Sequence, residues 1–208
     1  MTSPPLLAEL FPLAVPPRHP HLPVLRDAFA ALEALAWPAA RPCLPLGART
    51  EPMRLANGLF DPAQQDFGVR VADDADYPGI TLLHEIGHAV DYLLLGGGHY
   101  ASEVRGTAAW EAWYEACLGS AAIAQVRAHL IAPAFTAEVG FAEYLLEFPE
   151  MFARSFAQCV ACRSSSVPLQ NELTAMAQSD PPQQWAPHDF VTLDAALMHL
   201  LSMAGGEP

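Results

Sequence analysis

Apolar residues recur along this chain at two spacings, and the change from one to the other predicts its elements. From Val24 to Trp37 (VLRDAFAALEALAW) they follow a helical period, which predicts a first helix. Pro38 to Pro52 is broken by prolines and reads as loop. Met53 to Ala72 reads as a hairpin, with a short strand near Leu55 to Phe60, a turn at Asp61-Pro62 and a second strand at Phe67 to Ala72. In that second strand Phe67, Val69 and Val71 alternate with Gly68, Arg70 and Ala72. Asp73, Asp74 and Asp76 then lead into a helix with Pro78 in its first turn, running to about Leu95 and ending at Gly96-Gly97-Gly98. Further helices are expected over about 101–118, 120–131, 136–147, 150–163, 168–178 and 190–203. One small sheet beside many helices is an α+β arrangement, with the strand before the Pro78 helix expected as its functional edge. No internal repeat is visible.

The Pro78 helix carries His84-Glu85-Ile86-Gly87-His88, an HExxH sequence. Histidines four apart lie on one helix face, so both imidazoles can reach one zinc ion. Glu85 stands beside the first ligand, where a carboxylate can take a proton from activated water. Ile80, Leu82, Leu83, Ile86, Ala89, Val90, Leu93 and Leu94 surround these residues, so the helix is expected to be buried on most sides. Three polar groups on such a helix need a shared reason to be there. Gly87 is costly in a helix interior and points to the close approach of another element.

Composition narrows the partners. The 208 residues suit one large domain, or one domain with extensions, and 52% hydrophobic content is enough for a core. A formal charge of −13 excludes the basic stripe that nucleic acid requires. All ten cationic side chains are arginine. No apolar run reaches the roughly 18 residues of a membrane span. The N-terminus lacks a charged n-region, so the expected location is cytoplasmic by default, with export lacking a readable signal left open. Residues 1–23 hold seven prolines and read as an extended arm, with one turn of helix at Leu6 to Leu10; residues 24–208 read as one domain. The segments Ser3-Pro4-Pro5 and Val15-Pro16-Pro17 suit a strand-lined cleft, which raises an inhibitory arm beside the simpler surface-packed one. Cys159 and Cys162 form a lone CxxC on an amphipathic helix, and Cys43 and Cys117 supply no second pair, so ordinary packing is expected.

A catalytic zinc needs a third protein ligand and one open position. A histidine six residues after His88 would supply it, but that position is Leu94. His99 would have to fold back past the glycines. The remaining pool is carboxylates: Glu103, Glu111, Glu115, Glu138, Glu143, Glu147 and Glu150. Glu150 follows Pro149 in the first turn of a new helix, where a carboxylate also suits the helix dipole.

HEIGHAVDY, followed about sixty residues later by PEMFARSF, resembles the catalytic domain of anthrax lethal factor and the related Pro-Pro endopeptidases. These gluzincin metallopeptidases show HE-(Phe/Ile/Leu)-GHAxD and then E-(Phe/Tyr)-FAEAF. GLFDPAQQDFGVRVADDADYPGITLLHEIGH resembles the family's hairpin, strand and start of the active-site helix, so the likeness spans about Leu55 to Cys162. The resemblance implies a zincin-like fold and a zinc endopeptidase acting on a peptide or protein substrate. His84, His88 and Glu150 become the zinc ligands, Glu85 the general base, and Asp91 a partner that orients a ligand imidazole. Two positions depart from the pattern. Arg154 replaces the second glutamate of FAEAF, and the tyrosine expected seven residues before the glutamate ligand is Glu143. Tyr144, six before, is the candidate oxyanion donor if the Pro149 bend absorbs the shift. Two rival functions remain: a zinc-binding regulatory or interaction protein without turnover, and a zinc hydrolase of a non-peptide amide or ester.

Overall fold

In a computed structural model, residues 13–35, 47–54, 56–64, 68–131 and 136–203 are described. The expected turn at Leu6 to Leu10, the Ser3-Pro4-Pro5 segment, Cys43, Leu55 and Phe67 lie outside them. In chain order the elements are β1 (Leu13–Ala14), α1 (Leu22–Ala34), β2 (Ala48–Glu51), β3 (Gly58–Phe60), β4 (Val69–Ala72) and α2 (Pro78–Ala89). A π-helical turn follows at Val90–Leu95, then α3 (Ala101–Val104), α4 (Ala108–Leu118), α5 (Ala121–Ile131) and α6 (Thr136–Leu145). The chain closes with α7 (Phe148–Ala161), α8 (Val167–Ala177) and α9 (Pro187–Met203). The fold is mostly helical with one small sheet, an α+β arrangement.

The strands order β1-β2-β4-β3, with β1, β2 and β4 parallel and β3 antiparallel to β4. The expected hairpin is therefore present as β3 and β4, pairing Gly58 with Val71 and Phe60 with Val69. Its edge, however, is β3. The strand before the motif helix, β4, is interior, because β2 pairs along its other side. β2 itself falls in the stretch expected to be loop. It is short, only Ala48 is buried, and an ion pair from Arg70 to Glu51 at 3.2 Å ties it to β4. Polar residues on both faces leave no alternation to read. β1 forms the opposite edge of the sheet, so Leu13–Ala14 lie on the side away from β3.

α2 begins at Pro78, and a buried N–H of its first turn is met from far along the chain: Glu172 Oε2 on α8 accepts from Ile80 N at 2.8 Å. The α-helix ends at Ala89, earlier than expected, and widens into the π-turn before Gly97 and Gly98, both at positive φ. The expected 101–118 helix is likewise broken, with Arg105 in the left-handed region (φ 48°) and Thr107 capping α4 through Trp110 N. α2 and α7 cross at the centre of the core, packed by Ile80, Leu83, Ile86, Phe152 and Phe156. A smaller cluster of Val126, Ala142 and Leu145 joins α5 to α6. Among the described residues no helix is long and apolar enough to cross a membrane.

Candidate metal centre

Two crossing helices build the site. On α2, the four-residue spacing stacks His84 and His88 one turn apart. Their Nε2 atoms lie 3.0 Å apart and the rings meet edge-on with centroids at 4.6 Å. α7 starts at Phe148-Pro149 and carries Glu150 in its first turn, facing both imidazoles. Glu150 Oε2 is 3.1 Å from His84 Nε2, and Oε1 is 3.1 Å from His88 Nε2.

With Glu150 ionised, no proton arrangement satisfies these atoms together. A neutral imidazole nitrogen is either donor or acceptor, and one N–H serves only one neighbour. Glu150 Oε2 is buried without a hydrogen-bond partner, a costly state for a polar atom. A cation among the three side chains removes the conflict, and His84, His88 and Glu150 could hold a metal ion. Burial opposes the charge of Glu150, but the close approach and charge of the two histidines outweigh it and hold the carboxyl well below its usual range. Burial also opposes a charged His88, which the bond and charge of Glu150 nevertheless raise. A bound dication would reverse that last direction, because ligation requires neutral imidazole.

Glu85 sits beside His84, and burial raises its pKa against the pull of both histidines. Its carboxylate reaches the edge strand: a Cβ on Gly58 would stand 2.6 Å from Glu85 Oε1. The cleft here encloses about 460 Å³ and is lined by His84, Glu85, Glu150, Asn57, Gly58 and Tyr144 among others. Tyr144 comes from the last turn of α6, stacked on Phe141 with centroids 6.3 Å apart. Burial first, then the Glu150 carboxylate, raises its phenol, which keeps it a neutral donor.

Asp91 is placed differently from the expectation. The π-turn aims it at α3, where its carboxylate accepts from Ser102 N at 2.9 Å and from Ser102 Oγ at 2.5 Å. His88 Nδ1 has no hydrogen-bond partner, so Asp91 does not supply the orienting bond to that imidazole. Burial raises Asp91 to about 6 against those bonds.

The other carboxylates weighed as third ligand, Glu103, Glu111, Glu115, Glu143 and Glu147, are exposed, as is His99; the Glu138 side chain lies outside the described set. Cys159 is a buried free thiol and Cys162 an exposed one. Residues that sequence reasoning passed over include Gly58, Ser102 and Tyr100, whose ring meets His88 edge-on at 6.0 Å. Burial pushes the Tyr100 phenol to about 12. Only long-range contact marks these three, so no local motif could have found them. Comparisons with protein-family models, with curated proteins and with solved structures find no match.

Proposed function

We propose that this chain is a zinc-dependent endopeptidase of the gluzincin type, with His84, His88 and Glu150 as ligands. One observation carries the reading. Two imidazoles and a carboxylate converge in a cleft beside a buried glutamate that is not itself needed as a ligand. Ligand atoms about 2.0–2.1 Å from a tetrahedral zinc stand about 3.3 Å apart, close to the 3.0 and 3.1 Å separations here. Two nitrogens and one oxygen form a donor set that catalytic zinc accepts, with a fourth position left for water.

When bound, zinc supplies Lewis acidity and brings the pKa of water toward neutrality. Glu85 accepts the proton of the attacking water and passes it to the leaving amine. Burial raises its pKa, which makes the carboxylate a stronger base. The Tyr144 hydroxyl donates to the oxyanion of the tetrahedral intermediate. β3, the free edge of the sheet beside Glu85, aligns an extended substrate backbone by strand addition. This moves the substrate-binding edge from the strand expected in the sequence to its hairpin partner.

The test is digestion of a mixed, proline-containing peptide library, read by mass spectrometry, with and without a chelator. Cleavage that the chelator abolishes and added zinc restores is expected. Cleavage untouched by chelation, or persisting in Glu85→Ala, would overturn the reading.

A further inference from the structure

Arg154 lies one turn after Glu150 on α7 and is 2% exposed. Among the described residues no carboxylate lies within ion-pair distance of it. Its three nitrogens each donate to a main-chain carbonyl: Nε to Gln183 O at 2.6 Å, Nη1 to Leu145 O at 2.9 Å and Nη2 to Pro182 O at 3.1 Å. The guanidinium also lies over the Trp185 ring, 4.7 Å from its centroid. Burying a charge this deeply is expensive, and burial lowers its pKa only to about 10, so the group stays cationic near neutrality. A single neutral donor could not hold three carbonyls on two separate segments, whereas a planar group with five N–H bonds can.

One of those segments is the end of α6. Helix ends leave their last carbonyls without intrahelical partners. Here Glu143 O accepts from Leu146 N at 3.0 Å and Tyr144 O from Glu147 N at 3.1 Å, while Leu145 O is taken by Arg154. A cation at that point also meets the negative end of α6. α6 packs mainly on α5 through the smaller cluster, which includes Leu145 itself, and not through the main core. Its placement over α7 therefore depends on a few ties. The Arg154 bond holds the carbonyl of the residue next to Tyr144 in the chain.

We infer that Arg154 is a positioning residue for Tyr144: by holding Leu145 O it sets where the phenol stands beside His84 and Glu150. Its catalytic consequence rests on the peptidase reading, while its geometric content does not. Two measurements on the full chain loaded with zinc separate these. In the first, all five tyrosines are replaced by 3-fluorotyrosine, and the resonance lost in Tyr144→Phe identifies Tyr144. Arg154→Lys is expected to shift that resonance and leave those of Tyr77, Tyr92 and Tyr100 in place. An unmoved Tyr144 signal, or an equal shift of all signals, would overturn the inference.

In the second measurement, Arg154→Lys is expected to lower kcat about 10- to 100-fold with KM changed less than about twofold, since oxyanion donors act in the transition state. In a Tyr144→Phe background the same substitution is expected to cost less than about twofold, because both changes remove one interaction. An equal loss in both backgrounds would overturn the inference. Absence of cleavage by the wild type would defeat the peptidase reading, and the fluorine spectra would still decide the role of Arg154.

Discussion

A Cβ on Gly87 would stand 2.8 Å from Ala153 Cα, so the two helices that carry the candidate ligands touch backbone to backbone. Glu150 lies one turn before Ala153, and His84 and His88 flank Gly87. The closeness of this crossing is what brings the carboxylate within 3.1 Å of both imidazoles. Replacing Gly87 with alanine forces a shift of main chain, because Ala153 Cα cannot rotate away. A loss of about 1–3 kcal/mol in unfolding free energy is expected from such overpacking. Metal affinity should fall roughly tenfold or more as the ligands part. Denaturant titration and competition with a chromophoric chelator measure the two effects.

Gly58 tests the base separately from the metal. A methyl there would meet Glu85 Oε1 and Thr81 Cγ2, each at 2.6 Å. With Glu85 Cγ at 2.8 Å, all the atoms met are side-chain atoms and none is main chain, so the strain is expected to fall on Glu85 and Thr81 and displace Glu85. Gly58→Ala is expected to retain its metal and lower kcat by about tenfold to a hundredfold. Metal content measured beside peptide turnover checks the split.

How much of this was legible in the sequence follows the range of each interaction. His84, Glu85 and His88 are set by a local four-residue period, and the β3–β4 hairpin by alternation around Asp61-Pro62. Gly87 announced the close crossing but not what crossed it. Glu150 stood among seven carboxylates until its segment was recognised as resembling a known motif. The rest depended on contacts across tens of residues. β2 is polar and held by Arg70, the π-turn is fixed by the Asp91–Ser102 bonds, and no pattern marks Glu172 as the partner of Ile80 N. The two departures from the motif, Arg154 and a Tyr144 one residue late, are neighbours through Leu145 O.

Asp91 is expected to act as a fastener for α3. Asp91→Ala would leave Ser102 N without its buried acceptor and should cost about 1–3 kcal/mol. Metal stoichiometry should stay unchanged, since Asp91 touches neither imidazole through a hydrogen bond. A loss of metal with unaltered stability in denaturant titration would reverse that assignment.

Glu172 supplies a pH dependence of known sign. Burial raises its carboxyl to about 7 from an ordinary 4.5, against backbone N–H bonds from Ile80 and Gly79. The folded chain therefore holds this proton more tightly than the unfolded one. That contribution is fully present below about pH 4.5 and is lost as pH rises through about 7. Relative to Glu172→Gln, the wild type is expected to lose stability between pH 5 and pH 8. Parallel unfolding curves at several pH values give the difference directly.

The most direct measurement is metal stoichiometry by elemental analysis on the wild type, Glu85→Ala and Glu150→Ala, purified with zinc and freed of loosely bound ions. About one zinc per chain is expected in the first two and far less in the third, because the proposed site uses Glu150 as a ligand and Glu85 only as a base. A wild type without zinc, or a Glu150→Ala variant that retains it fully, would contradict the assignment of His84, His88 and Glu150 as the metal site.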